Sequence, residues 1–300
     1  MKLTMILKSG ICLMAGVLFL FISCKKDSTI SNSPGNDSTA ANMSATSVNT
    51  DIVYNDVFNV ALDAGSDNNI DRVVAQELGG SVQSNSARGG VETNSPASGI
   101  CASYTVSPAD TTTFPKTITV NFGAGCTSGD GITRSGTITF IFSGRVRSPG
   151  TTVSATFTNY TVNSYGLQGT YSVTNTSTLN GIAYTTQVTG GQITYPDASW
   201  YKFSGHRSVT QTAGQSTPSD FSDDVYSITG SHTCISSTNQ TLQDSVTTPL
   251  VKAYVCKWVS SGILSFSYNS IGGNINFGDG TCDSLATITV GPISLPLIMH

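Results

Sequence analysis

The chain has 300 residues, of which only 11% are charged, against about a quarter in an ordinary globular domain. Its 14 basic and 18 acidic side chains leave a net charge of −4. That balance argues against nucleic acid as a partner and against electrostatic attraction to anionic lipid.

The N-terminus opens with Lys2 and Lys8, followed by an apolar run from Ile11 to Ile22 broken only by Cys12, Ala15 and Gly16. The run has the length of a signal-peptide core and is short for a membrane span. It stops at Ser23-Cys24 and is followed at once by Lys25-Lys26-Asp27. A signal peptide over 1–23 is therefore expected. "FISC" resembles a bacterial lipobox, with Phe21 in the place of the usual leucine. The resemblance implies cleavage before Cys24 and acylation of that residue, with palmitate-type chains as the membrane anchor. Loss of Lys2 and Lys8 would leave 12 basic against 18 acidic residues, a net of −6.

Residues 24–49 are rich in Ser, Thr, Asn, Ala and Gly and read as a flexible tether. In "TDIVYNDVFNVALD", residues 50–63, Ile52, Val53, Val57, Val60 and Ala61 recur at helical spacing. A short helix packed on the main domain is expected there. Residues 64–98 read mostly as loop. Asp67, Asn69 and Asp71 have the alternating spacing of a calcium loop, without its glycine or its distal glutamate.

From Ile100 onward strand patterns follow one another. "KTITVNF", "SGTITFIFSG", "TTVSATFTNYTV", "LQGTYSVTNT", "AYTTQV", "GQITY", "DVYSITGSH", "VKAYVCKWV", "GILSFSY", "GNINF" and "LATITV" all fit. Ile138, Phe140 and Phe142 alternate with Thr137 and Thr139, a period of two. Turn residues recur every eight to twelve positions, the spacing of hairpin-linked antiparallel strands. Residues 100–300 are thus expected to form an all-β domain of about 11–13 strands, a sandwich or a large curved sheet.

Two segments of this domain are near copies. "CASYTVSPADTTTFPKTITVNFGAGC" runs from Cys101 to Cys126, and "CKWVSSGILSFSYNSIGGNINFGDGTC" from Cys256 to Cys282. Each begins with a cysteine expected on a strand and ends in Asn-Phe-Gly-X-Gly and a second cysteine. A segment of this length folds back as a hairpin and sets its ends side by side, so Cys101–Cys126 and Cys256–Cys282 disulfides are expected. Cys234 is left as the odd thiol, either a half-buried small residue or a nucleophile beside His232. In the second copy Asn276, Asp279 and Asp283 could offer oxygens to a hard cation. Ala124 stands where Asp279 stands, so the turn itself does not need that carboxylate. Turn chemistry is the preferred reading, with no metal or other cofactor assigned.

Chemical signatures are sparse. The three histidines are His206, His232 and His300, and there is no HExxH, G-x-S-x-G or P-loop. Asp220, Asp223 and Asp224 form an acidic patch read as a solvated turn, with acid/base work as the alternative. Tyr195, Trp200 and Tyr201, with Phe203, Lys202, His206 and Arg207, form either a ligand platform or ordinary core packing.

"SCKKD" after an apolar run, cysteine-closed hairpins and the Asn-Phe-Gly turn together resemble outer-membrane lipoproteins of Bacteroidetes-type bacteria. The resemblance implies an outer-membrane location, with the face undecided, and brings no catalytic residues with it. The expected role is non-enzymatic, structural or binding. Its partners would be the membrane through Cys24 and a glycan or another envelope protein. A surface glycan-binding lipoprotein is the first alternative, and a carboxylate-dependent hydrolase the second.

Overall fold

The computed structural model describes residues 36–67 and 101–299, except 111, 130, 147, 180 and 218–221. Cys24, Asn69, Asp71 and Asp220 lie outside the described residues. One helix, α1 (Asn36–Asp67), precedes strands β1 (Ser103–Ser107), β2 (Lys116–Thr127), β3 (Thr133–Phe142) and β4 (Thr152–Val162). There follow β5 (Tyr165–Asn175), β6 (Ala183–Thr194), β7 (Trp200–Ala213), β8 (Val225–Ser236) and β9 (Thr241–Ala253). The chain ends with β10 (Ser261–Tyr268), β11 (Ile271–Asp279), β12 (Leu285–Val290) and β13 (Ile293–Ile298).

All thirteen strands form one sheet in sequence order, each antiparallel to the next. The expected all-β class and strand number hold, and the architecture is the curved sheet, not the sandwich. The period-two pattern builds it directly. Ile118, Val120, Ile138 and Phe140 turn to the inner face and are buried. Their neighbours in sequence turn outward. One outward row, in register across six strands, runs Thr105, Thr119, Thr139, Thr156, Thr170, Thr189. Outward hydroxyls and inward hydrocarbon are the inverse of a membrane barrel, whose outer band is apolar.

Turn chemistry sets the register. Asn163-Ser164 and Asn269-Ser270 both have φ of 46° and 70°, the pair of left-handed residues that a two-residue hairpin turn requires. They join Val162 to Tyr165 and Tyr268 to Ile271. "NS" between two strands was the legible sign of each hairpin.

The helix is longer than its apolar periodicity implies. Fourteen residues of the expected tether, 36–49, are its first half, and it continues to Asp67. The reason lies in what encloses it. Ala40, Ala41, Ser44 and Ser47 are buried, and such small side chains let the sheet approach closely without forming an apolar stripe. Among the helix side chains described, only Asn42, Asn55 and Asn59 are exposed. The helix touches strands from β4 to β12, so the sheet curls around it and α1 fills the inner face. A helix wrapped on nearly all sides needs no polar face, which is why its amphipathic signal is faint. No described helix is long and apolar enough to cross a membrane.

Other strand boundaries shift. "AYTTQV" and "GQITY" are two halves of one strand, β6, divided by a bulge at Gly190-Gly191. Trp200 to Arg207, part of the segment read as a ligand platform or core packing, lies on the long strand β7. Val251–Ala253 ends β9, and Tyr254–Trp258 is loop. Cys256 therefore lies in a loop and Cys101 just ahead of β1, not on strands as expected.

Candidate functional site

Ionisable side chains concentrate where helix meets sheet. Asp51 and Ser47 come from α1, Arg207 from β7, His232 from β8 and Asp244 from β9. The strand residues occupy inward positions that strand alternation would give to hydrocarbon, and all three are at least 96% buried. Room for them comes from two glycines. Gly205 faces His232 across the β7–β8 pair, and Gly230 faces Arg207. A Cβ added at Gly205 would lie 2.3 Å from His232 Cδ2, and one at Gly230 would lie 2.1 Å from the His206 carbonyl oxygen. Both glycines have positive φ (152° and 129°); Gly205 leaves the space that the His232 ring fills, and Gly230 lets the β7 backbone at His206-Arg207 come close.

Within that recess Arg207 Nε donates to Asp51 Oδ2 at 3.1 Å, and Nη2 lies 3.5 Å from Asp244 Oδ1. Ser47 Oγ donates to Asp244 Oδ2 at 2.6 Å. The His232 backbone N–H donates to Asp244 Oδ1 at 3.2 Å. The imidazole lies between the two carboxylates, Nε2 3.5 Å from Asp51 Oδ1 and Nδ1 3.7 Å from Asp244 Oδ1. Both distances exceed those of a good hydrogen bond. Among the described residues, the buried His232 Nδ1 and Arg207 Nη1 have no hydrogen-bond partner. Burial holds the His232 pKa below its ordinary value of 6.5, against the pull of Asp51.

This is not a nucleophile–base–acid relay. Ser47 Oγ donates to Asp244 and not to His232, so the serine–histidine contact of such a relay is missing. Cys234, two residues along the same face, is fully buried and pushed up to about 12 by desolvation. A thiol held so far from its thiolate packs as a small core residue, fully buried and not half-buried as expected.

A second buried ion pair lies farther along the helix. Arg134 Nε donates to Asp56 Oδ2 at 2.9 Å and Nη2 to Oδ1 at 2.6 Å, while Nη1 donates to Ser128 Oγ at 3.2 Å. Asp51, Asp56, Arg134, Asp244 and Ser47 were not singled out from the sequence. A usable sign did exist. In a chain this poor in charge, "TLQDSV" puts Asp244 in the inward phase set by Leu242.

The sequence candidates are distributed as follows. Cys101–Cys126 and Cys256–Cys282 are disulfides with Cα–Cα distances of 6.0 and 5.7 Å. Each closes the open end of a hairpin, β1–β2 and β10–β11. The platform residues do not share a face. Tyr195 packs edge-on between Tyr165 and Tyr201, with centroids 5.0 and 5.4 Å apart. Arg207 belongs to the buried ion cluster. Trp200 lies on the other side of β7, where the Lys202 ammonium is 5.9 Å from its ring centroid. In the acidic patch Asp224 is buried and accepts from Gln211 Nε2 at 2.8 Å and Tyr226 Oη at 2.9 Å. Asp223 accepts from Thr217 Oγ1 at 2.7 Å.

The two copied turns have the same geometry. Asn121 Oδ1 accepts from Gly123 N at 2.8 Å, and Asn276 Oδ1 from Gly278 N at 3.0 Å. The extra carboxylates of the second copy serve their own backbone. Asp279 Oδ1 accepts from Thr281 N and Oγ1, and Asp283 Oδ1 from Leu285 N. The Thr281 bonds hold the Asp279 pKa below its ordinary value. Asp279→Ala is expected to move the melting midpoint little, with no response to calcium or chelator in either protein. A calcium-dependent rise in the midpoint that disappears in the variant would make this turn a cation site.

Among the described residues no group of three or more His, Cys, Asp or Glu side chains is placed to hold a metal ion. Comparison of the chain with protein-family models, with curated proteins and with solved structures finds no match.

Proposed function

We propose that the chain is a lipid-anchored cell-envelope protein of the Bacteroidetes outer-membrane type, with a structural or binding role and no catalytic one. The observation that carries this reading is the apolar run Ile11–Ile22 ending at Ser23-Cys24-Lys25-Lys26. Two features of the folded domain support it. The inner face of the sheet is occupied by the chain's own helix, so contacts with other molecules fall to the outer face and the loops. The two disulfides suit an oxidising compartment.

The helix boundary changes the geometry of anchoring. With α1 beginning at Asn36, eleven residues, 25–35, separate it from Cys24. Fully extended, they span at most about 40 Å.

Cys24→Ser is expected to abolish incorporation of a fatty-acid analogue and to release the protein from the membrane fraction, because only a thiol accepts the diacylglyceryl group. Undiminished labelling of the variant would sink the lipoprotein reading.

A second reading, binding of a glycan, rests on Trp200, which sits with Lys202 on the outward side of β7. A glycan array that is silent for the native protein and for Trp200→Ala alike removes it. For the hydrolase alternative, Asp223, Asp224, Asp279 and Asp283 each accept hydrogen bonds within their own turns or packing. It is not carried further.

A further inference from the structure

We propose that His232 is an acid-sensitive latch that weakens the docking of α1 in the sheet as pH falls. Histidine is the side chain whose ordinary pKa falls between pH 5 and 7.5. Every packed element faces His232 with something polar or titratable: Ser47 and Asp51 from α1, Arg207 from β7, Asp244 from β9, and Cys234 on its own strand. His206, also on β7, is exposed on the outward side. The Phe203 ring covers the imidazole at 4.6 Å between centroids, and Tyr54 of the helix stacks on Phe203 at 5.7 Å. The ring is thus coupled to the helix through Asp51 and through this stack.

The sign follows from the geometry. With His232 neutral, Arg207 faces two carboxylates and the cluster carries one net negative charge. A proton on the ring would balance that charge. It would also create a buried imidazolium whose two N–H groups point at oxygens 3.5 and 3.7 Å away, too far for good hydrogen bonds. The His232 side chain is 2% exposed, so water cannot make up the difference. Desolvation wins, and the docked pKa lies below the ordinary one. With the helix undocked the ring meets water and regains its ordinary affinity for a proton. The undocked state therefore binds the proton more tightly. Docking stability is fully present above the ordinary histidine pKa of about 6.5. It declines as pH falls through that value and levels off below the lowered, docked one.

The test is hydrogen exchange on the full mature protein between pH 7.5 and 5.0, corrected for intrinsic rates. The expected result is a loss of protection in α1 on acidification, while β2 and β3 keep theirs. The loss should persist in His206→Gln and be absent in His232→Gln. Unchanged protection of α1 down to pH 5.0, or an equal loss in His232→Gln, overturns the proposal. If His232→Gln does not fold, the native ring titration followed by NMR decides. A midpoint below the ordinary histidine value that coincides with the loss of protection supports the latch. A midpoint at or above it overturns the latch.

Discussion

Asp56→Ala is expected to destabilise the protein by about 3–5 kcal/mol, because it leaves a buried guanidinium without its counter-charge. Arg134 is 1% exposed, and its partner's side chain 9%. Two of its nitrogens end on Asp56 at 2.9 and 2.6 Å in the fork geometry that suits a carboxylate. Ser128 Oγ takes a third N–H, from Nη1, but carries no charge. The loss corresponds to roughly 6–20 °C in melting midpoint for a domain of this size. The pair itself is a weaker stabiliser than its breakage implies, since both ions were taken out of water to form it. Asp56→Ala combined with Arg134→Met is therefore expected to be more stable than Asp56→Ala alone, since it removes the cation that has lost its carboxylate. Urea denaturation of the two variants separates the effects. If the double variant falls as far as or farther than the single one, the damage comes from lost packing and not from the unpaired charge.

The sheet was legible in the sequence because its physics is local. Inward Ile118, Val120, Ile138 and Phe140 alternate with outward threonines, and glycine- and asparagine-bearing turns break the pattern at regular intervals. The hairpin disulfides were legible for the same reason, since each closes two strands adjacent in sequence. What the sequence concealed is non-local. Ala40, Ser44 and Ser47 look like tether residues, because nothing in their own neighbourhood shows that strands distant in the chain will enclose them. Arg207 was noticed, but as part of an aromatic platform. Its real partners, Asp51 and Asp244, are 156 and 37 residues away. The platform failed on parity: Trp200 and Tyr201 are consecutive on a strand and must face opposite sides. Gly205 drew no notice in the sequence, yet it is where the sheet makes room for the His232 ring. A bulge at Gly190-Gly191 likewise split one strand into two apparent ones.

That bulge sets up the second large effect. Tyr54→Ala is expected to cost about 3–5 kcal/mol, the range for removing a large buried aromatic ring. Tyr54 is fully buried, stacked on Phe203 at an interplanar angle of 11° and edge-on to Phe157 at 6.3 Å. Its hydroxyl donates to the Gln168 carbonyl at 2.7 Å and lies 3.3 Å from that of Gln192. The β5–β6 register shifts between Gln168 and Thr170, and the β6–β7 register between Val188 and Gly191. The helix residue thus supplies a donor beside an irregularity in the sheet ladders. A Cβ at Gly191 would stand 2.8 Å from the Tyr54 hydroxyl, so the bare glycine is what lets the ring reach the backbone. Tyr54→Phe keeps the stack and removes only the donor. It should cost about 0.5–1.5 kcal/mol, the net worth of a part-buried hydrogen bond. The two variants therefore divide the helix–sheet contact into a packing part and a hydrogen-bond part. Chemical denaturation of both, with hydrogen exchange on β5 and β6, reads each part separately. If Tyr54→Ala costs no more than Tyr54→Phe, the ring contributes no packing and α1 is not the core of this domain.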